Sequence, residues 1–197
     1  MKIGILTFHR AHNYGAILQA YALQEVLTNR GHNVEFIDYQ SSSLLKIYRW
    51  FSWKRFVHKN ISISIKELGL LSKRKMRHDR FQYFIQNKLA LSKHSYNLQS
   101  YDAVIIGSDQ VWNTTLTHGF DPMYWGVWNH QHTIVASYAA SMEDAIASDK
   151  KSEIARFLKN FDYISVREKS IKEQLDPLTD KPIDVVVDPT LLLNREK

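Results

Sequence analysis

Three features of the 197-residue sequence predict an α/β fold built on a parallel sheet flanked by helices. A strand, a loop, a helix and a second strand fit into the first 38 residues, and such a unit sets its two strands parallel. The short apolar runs at 103–106 and 133–138 are of the kind buried on both faces of a sheet. Hydrophobic residues at 44% and aromatics at 12% supply a sizeable core and exclude global disorder.

The first strand is read at residues 3–8, ahead of the polar stretch 9–13. In the helix that follows, at 15–29, Ile17, Leu18, Tyr21, Ala22, Gln24 and Leu27 recur at spacings of three and four, and Gly31 stops it. A second strand follows at 33–38. Ser41 to Ser43 then punctuate the chain before a basic, aromatic stretch at about 44–94. There Leu44, Ile47, Tyr48 and Phe51 share a helical face, while Trp50, Trp53 and Phe56 lie elsewhere around it. A further helix is expected at 73–88. The α/β rhythm resumes with strands at 103–106, 133–138, 163–166 and 184–187, and with helices at 149–159 and 168–175.

Composition narrows the function. Without cysteine there can be no disulfide, thiolate zinc site or cysteine nucleophile, which is compatible with a reducing compartment. No run of about 18 apolar residues occurs, and 3–8 is too short for the core of a signal peptide. The net charge of +6 is concentrated: residues 44–94 hold thirteen Lys and Arg against Glu67 and Asp79 alone. Such a block marks a solvated face or an anionic partner. No recognised nucleic-acid motif accompanies it, so nucleic acid is not the expected partner.

In a parallel α/β sheet, ligands sit beyond the carboxyl ends of the strands. The residues there are Asn13, Tyr14 and Gly15 after the first strand and Ser108, Asp109, Gln110, Trp112 and Asn113 after the third. Ser137 to Ser141 follow the fourth, Arg167 and Glu168 the fifth, and Asp188 and Pro189 the sixth. Asp109 reads as a general base or as the cap of a turn. Gln110, Trp112 and Asn113 can hold a sugar by hydrogen bonds and stacking, unless Trp112 belongs to the core. Gly15 opens a helix whose free N–H groups could hold an anion, or it serves a tight turn. Arg167 suits the bidentate grip of a phosphate or carboxylate, or an ion pair with Glu168 or another neighbour. No phosphate-binding glycine fingerprint occurs in the first loop. His9, His12, His130 and His132 show no metal-ligand pattern, so no metal is expected.

Five segments resemble the polysaccharide pyruvyl transferase family in that family's order: residues 3–8 with 13–23, 101–113, 137–141, 165–168 and 188–192. The resemblance implies that residues 1–197 are the amino-terminal, Rossmann-like lobe of a GT-B-like enzyme, with a basic helical insertion at about 44–94 and the second lobe absent. It also implies transfer of pyruvate from phosphoenolpyruvate to two sugar hydroxyls as a cyclic ketal, in cell-surface or exopolysaccharide biosynthesis. Phosphoenolpyruvate is then the donor substrate and no cofactor is needed. Arg167 would clamp the donor anion, Asp109 would take the acceptor's proton, and Asn13, Tyr14, Gly15, Ser108, Gln110, Trp112 and Asn113 would bind substrate. The expected partners are a sugar or lipid-linked glycan acceptor and an anionic membrane surface. A cytoplasmic location, or a peripheral one at the inner face of the membrane, matches them. Two rivals stand beside this reading: a non-catalytic carbohydrate-binding or assembly module, and a glycosyltransferase.

Overall fold

The computed structural model describes residues 1–41, 61–93, 97–128, 132–142 and 145–193. Strands β1 (Lys2–Leu6), β2 (Asn33–Phe36), β3 (Ala103–Asp109), β4 (Ile134–Ala140), β5 (Ile164–Val166) and β6 (Ile183–Val185) form one sheet in the order β2-β1-β3-β4-β5-β6. All the pairings are parallel. Because β1 lies between β2 and β3, the chain reverses its direction of travel across the sheet there. The crevice between the carboxyl ends of β1 and β3 is thus the topological switch point, where such sheets bind ligands.

Period-two alternation in the strands divides the core between the two faces. Ile3, Ile5 and Ala103 pack with Ile17, Ala20 and Leu23 of helix α1 (Tyr14–Asn29). Leu6, Val104 and Ile106 face the opposite way, toward an aromatic group that includes Trp112, Trp125, Phe157 and Phe161. Ile5, Leu6, Val104 and Ile106 are fully buried, and each contributes about 1.5–3 kcal/mol by leaving water.

Helix α2 (Ile61–Lys88) runs for 28 residues, about 42 Å, and begins well before the predicted position 73. It is anchored near its carboxyl end, where Phe81 and Ile85 join the α1 face with Leu89 just beyond. Gln24 of α1 clasps that end. Its Nε2 donates to Lys88 O at 3.0 Å, and its Oε1 accepts from Ala90 N at 2.8 Å. One side chain thereby satisfies a carbonyl that the helix terminus leaves open and the N–H of a residue just past it. The aromatic face expected at Leu44–Phe56 lies outside the described residues.

Short helices α3 (Thr114–Thr117), α4 (Lys151–Leu158) and α5 (Lys169–Leu175) complete the layers. Most strand bounds differ from the sequence reading by one to three residues. Strand β3 is longer, since its ladder to β4 continues through Gly107↔Tyr138 and Asp109↔Ala140 rather than ending at the glycine. Gly107, Ser108 and Asp109, which lie beyond the strand read at 103–106, are therefore strand residues fixed by a neighbour.

Candidate functional site

The carboxyl edge of β3 is shaped by backbone that few residues tolerate. Gly107 has φ +115°, and a Cβ there would lie 2.4 Å from Tyr138 O, so only glycine fits. Asp109 has φ +83°, in the left-handed region that Asp tolerates better than most residues. Its carbonyl accepts from Val111 N at 2.8 Å and from Ser141 N at 3.0 Å, which ties the β3 turn to the end of β4. Its carboxylate accepts from Gln110 N at 2.8 Å. Burial pushes the Asp109 carboxyl above the usual range and Asp188 adds to the rise, while the Gln110 N–H and Arg167 oppose it.

Two buried serines hold β4 against β5 beside this turn. Ser165 N donates to Ser137 Oγ at 2.9 Å, and Ser165 Oγ donates to Ser137 O at 2.8 Å. These bonds bridge the irregular stretch where Ala139 has φ +47°. The clasp sets Arg167, which follows β5, next to the β3 edge.

Arg167 holds a carboxylate on either side. Its Nε donates to Glu168 Oε1 at 2.8 Å, and its Nη1 lies 3.4 Å from Asp188 Oδ2. Ser141 Oγ donates to the same Glu168 oxygen at 3.1 Å, and Ser108 Oγ reaches Asp188 Oδ2 at 3.5 Å. Asp188 Oδ1 caps the turn at Pro189–Leu192 by accepting from Thr190 N and Thr190 Oγ1. Glu168 Oε2 is buried and has no hydrogen-bond donor among the described residues. Burial alone would lower the Arg167 pKa, but Glu168, Asp188 and Asp109 raise it, so the guanidinium stays charged. The ends of β3, β4, β5 and β6 thus converge on one guanidinium, three carboxyls and two serine hydroxyls.

The switch point adjoins this cluster. Thr7 Oγ1 donates to Ser108 O at 2.7 Å across the crevice and accepts from Gln19 Nε2 at 3.1 Å. Gln19 is 2% exposed, and its Oε1 has no donor among the described residues. On the other side of the β3 turn a half-open cleft of about 280 Å³ lies between the segments that follow β3 and β4. Thr114, Thr115, Phe120, Met142 and Ile146 line it, and Lys150 Nζ donates to Thr114 Oγ1 at 2.8 Å.

The residues singled out in the sequence do not all meet in one place. Ser108, Asp109 and Arg167 come together, and the ion pair with Glu168 is present. Asn13 and Asn113 are helix caps: Asn13 Oδ1 accepts from Gly15 N and Ala16 N, and Asn113 Oδ1 from Thr115 N and Leu116 N. Gly15 N is therefore already occupied, while Tyr14 is exposed with its ring beside Phe81. Gln110 is tied to this cap, since Asn113 Nδ2 donates to its Oε1 at 3.1 Å.

Trp112 corrects the expectation of a sugar-stacking ring. It is 1% exposed, its face is stacked on Trp125 at 4.9 Å, and its Nε1 donates to Tyr124 O. It is among the residues that line the cleft. With Trp125 on one face, Phe161 edge-on beside it and only 1% of the residue exposed, neither face of the ring is open to a pyranose.

Thr7, Gln19, Ser141, Glu168 and Asp188 complete the candidate site; from sequence Glu168 was read only as a possible ion-pair partner of Arg167, and the other four had no assigned role. Glu168 and Asp188 lie after strands, which was the available signal; Gln19 lies inside a helix and gave none. Among the described residues no three His, Asp or Glu side chains cluster as a metal site requires.

A family model described as polysaccharide pyruvyl transferase matches residues 13–197, nearly the whole chain. No curated protein and no solved structure matches it.

Proposed function

From the premise that this chain belongs to the polysaccharide pyruvyl transferase family, we propose that it acts in the transfer of pyruvate from phosphoenolpyruvate to two hydroxyls of a sugar in a surface polysaccharide. The family match carries this reading, and the cluster at the carboxyl edge supports it.

The chemistry makes three demands. A proton must reach the methylene carbon of the donor, which leaves cationic character at the carbon bearing the phosphate. One sugar hydroxyl then adds to that carbon and gives up its proton. A second hydroxyl replaces the phosphate, so that one donor and one diol yield one ketal and one inorganic phosphate. Asp109 is assigned the base of the addition step. Its raised pKa makes its carboxylate a stronger base than an exposed one, and Gln110 N–H fixes one of its oxygens. Arg167 is assigned the anion grip. Its bonds to Glu168 and Asp188 hold the guanidinium in one plane, and Nη2 has no hydrogen-bond partner among the described residues. The cleft beside the β3 turn has room for the acceptor.

Phosphate release from phosphoenolpyruvate, followed with a panel of sugar acceptors, tests the reading. Acceptor-dependent release supports transfer. Acceptor binding with no release under any condition would favour the non-catalytic module instead.

A further inference from the structure

The solvent side of α2 is a surface with a composition of its own. From residue 70 to residue 93 the chain carries seven Lys and Arg and one acid, Asp79. That acid is taken by Lys75, 2.7 Å away on the preceding turn. Phe81 and Ile85 fix which side of the helix faces the core. On the opposite side Lys73, Met76, Arg80, Tyr83 and Asn87 follow one another at spacings of three and four, which places them in a single exposed stripe. Met76 is 50% exposed and Tyr83 is 68% exposed.

We infer that this stripe docks on an anionic lipid membrane. A cation, a thioether, a guanidinium and a phenol in alternation match the interface of a bilayer. There charged heads meet lipid phosphates while Met and Tyr enter the region just below them. A dissolved polyanion would engage Lys73 and Arg80 and leave Met76 and Tyr83 in water. That difference in the use of the apolar pair selects the membrane.

The position of the helix gives the docking a consequence. Arg77 Nη2 donates to His12 O at 3.2 Å, and the Phe81 ring lies 4.9 Å from that of Tyr14. A bilayer held by α2 would therefore lie close to the amino-terminal end of α1, on the edge of the sheet that carries the candidate site. The inference rests on the helix surface and is independent of the transfer chemistry.

Co-sedimentation of the full chain with phosphatidylcholine vesicles, with and without about a quarter phosphatidylglycerol, tests it. Binding is expected only with the anionic lipid, and it is expected to weaken as salt rises from ~0.05 to ~0.5 M. Lys73→Gln with Arg80→Gln should lower the partition coefficient by about tenfold or more. Met76→Ser with Tyr83→Ser should lower it at unchanged charge. All four side chains are exposed, and circular dichroism checks that the variants stay folded. Equal pelleting with neutral vesicles, or none with either, overturns the inference. So does anionic binding that either double variant leaves intact, since it would belong to another segment or to a surface that reads charge alone.

Discussion

Arg167 and Ser108 meet on a single oxygen: Nη1 lies 3.4 Å, and Oγ 3.5 Å, from Asp188 Oδ2. Both contacts are long, so Asp188 is a loose partner that a tighter-binding anion can displace. Glu168, at 2.8 Å from Nε, is the firm one. The guanidinium is thereby oriented on one side and available on the other.

The first prediction follows from that asymmetry. Arg167→Ala should lower kcat/KM for phosphoenolpyruvate by at least about tenfold, or ~1.4 kcal/mol. Arg167→Lys keeps the charge but loses the fork, and should recover only part of the loss. Steady-state kinetics of phosphate release measure both. Wild-type values in a folded Arg167→Ala protein would make the arginine a strut for Glu168 and Asp188.

Asp109→Asn separates chemistry from stability. Asn tolerates φ +83° and can still accept from Gln110 N, so the turn survives. Turnover should fall while the Tm holds or rises. The sign follows from the raised pKa: folding favours the protonated carboxyl, so the native state carries a penalty above its folded pKa. That penalty disappears as pH falls toward the ordinary value of 3.8. Any gain in Tm over the wild type should therefore shrink in acid. A large loss of Tm with turnover per folded molecule unchanged would mark Asp109 as a structural cap.

The strands could be read from sequence because buried parallel strands are apolar runs, and the runs at β3 and β4 stand out from their polar flanks. Ser108, Asp109 and Arg167 could be read because they follow such runs. The pairing of Arg167 with Asp188 could not be read, since it depends on strand order and on the Ser137–Ser165 clasp that levels β4 with β5. Trp112 misled for a physical reason. A tryptophan beside polar residues reads as a stacking platform, and only the three-dimensional packing supplies Trp125 against its face. Asn13 and Asn113 have the chemistry of sugar ligands and of helix caps alike, and which one applies depends on whether the next turn is helical.

A stability prediction arises at the other end of the crevice. His9 is fully buried, with Nδ1 3.0 Å from Thr7 O and Nε2 3.2 Å from Asp38 Oδ1. Arg10 reaches both oxygens of the same carboxylate. The His9 hydrogen bond holds the Asp38 carboxyl well below the usual range against the opposing effect of burial, and Arg10 assists. Asp38→Ala leaves a buried ring nitrogen without its partner and should cost about 1–3 kcal/mol in urea unfolding at neutral pH. A depressed carboxyl lends its stability above the unfolded value and loses it as pH falls below about 3.8. The gap between variant and wild type should therefore close in acid. A gap that is constant with pH would place the cost in lost packing.

The anchor of α2 is expected to respond to pH in a range that the Asp38 pair does not. The His12 ring is stacked on Phe81 with centroids 5.3 Å apart, meets His78 edge-on at 4.6 Å, and has Nε2 3.1 Å from Gln82 Nε2. Burial first, then His78 and Arg77, lower its pKa from 6.5 to about 4. A histidine with a lowered pKa favours folding in its neutral form. Its contribution is therefore complete above pH 6.5 and is lost as pH falls from there toward about 4. The ring is partly open to solvent, so the loss is about 1–2 kcal/mol after allowance for screening. His12→Phe keeps the ring against Phe81 and removes the titration, so its Tm should fall less than that of the wild type across this range. Thermal melts of the two proteins at pH 7, 6, 5 and 4 make the comparison. Parallel curves would mean that His12 is protonated as readily in the folded chain as in the unfolded one, and that the α1–α2 contact takes no part in the acid response.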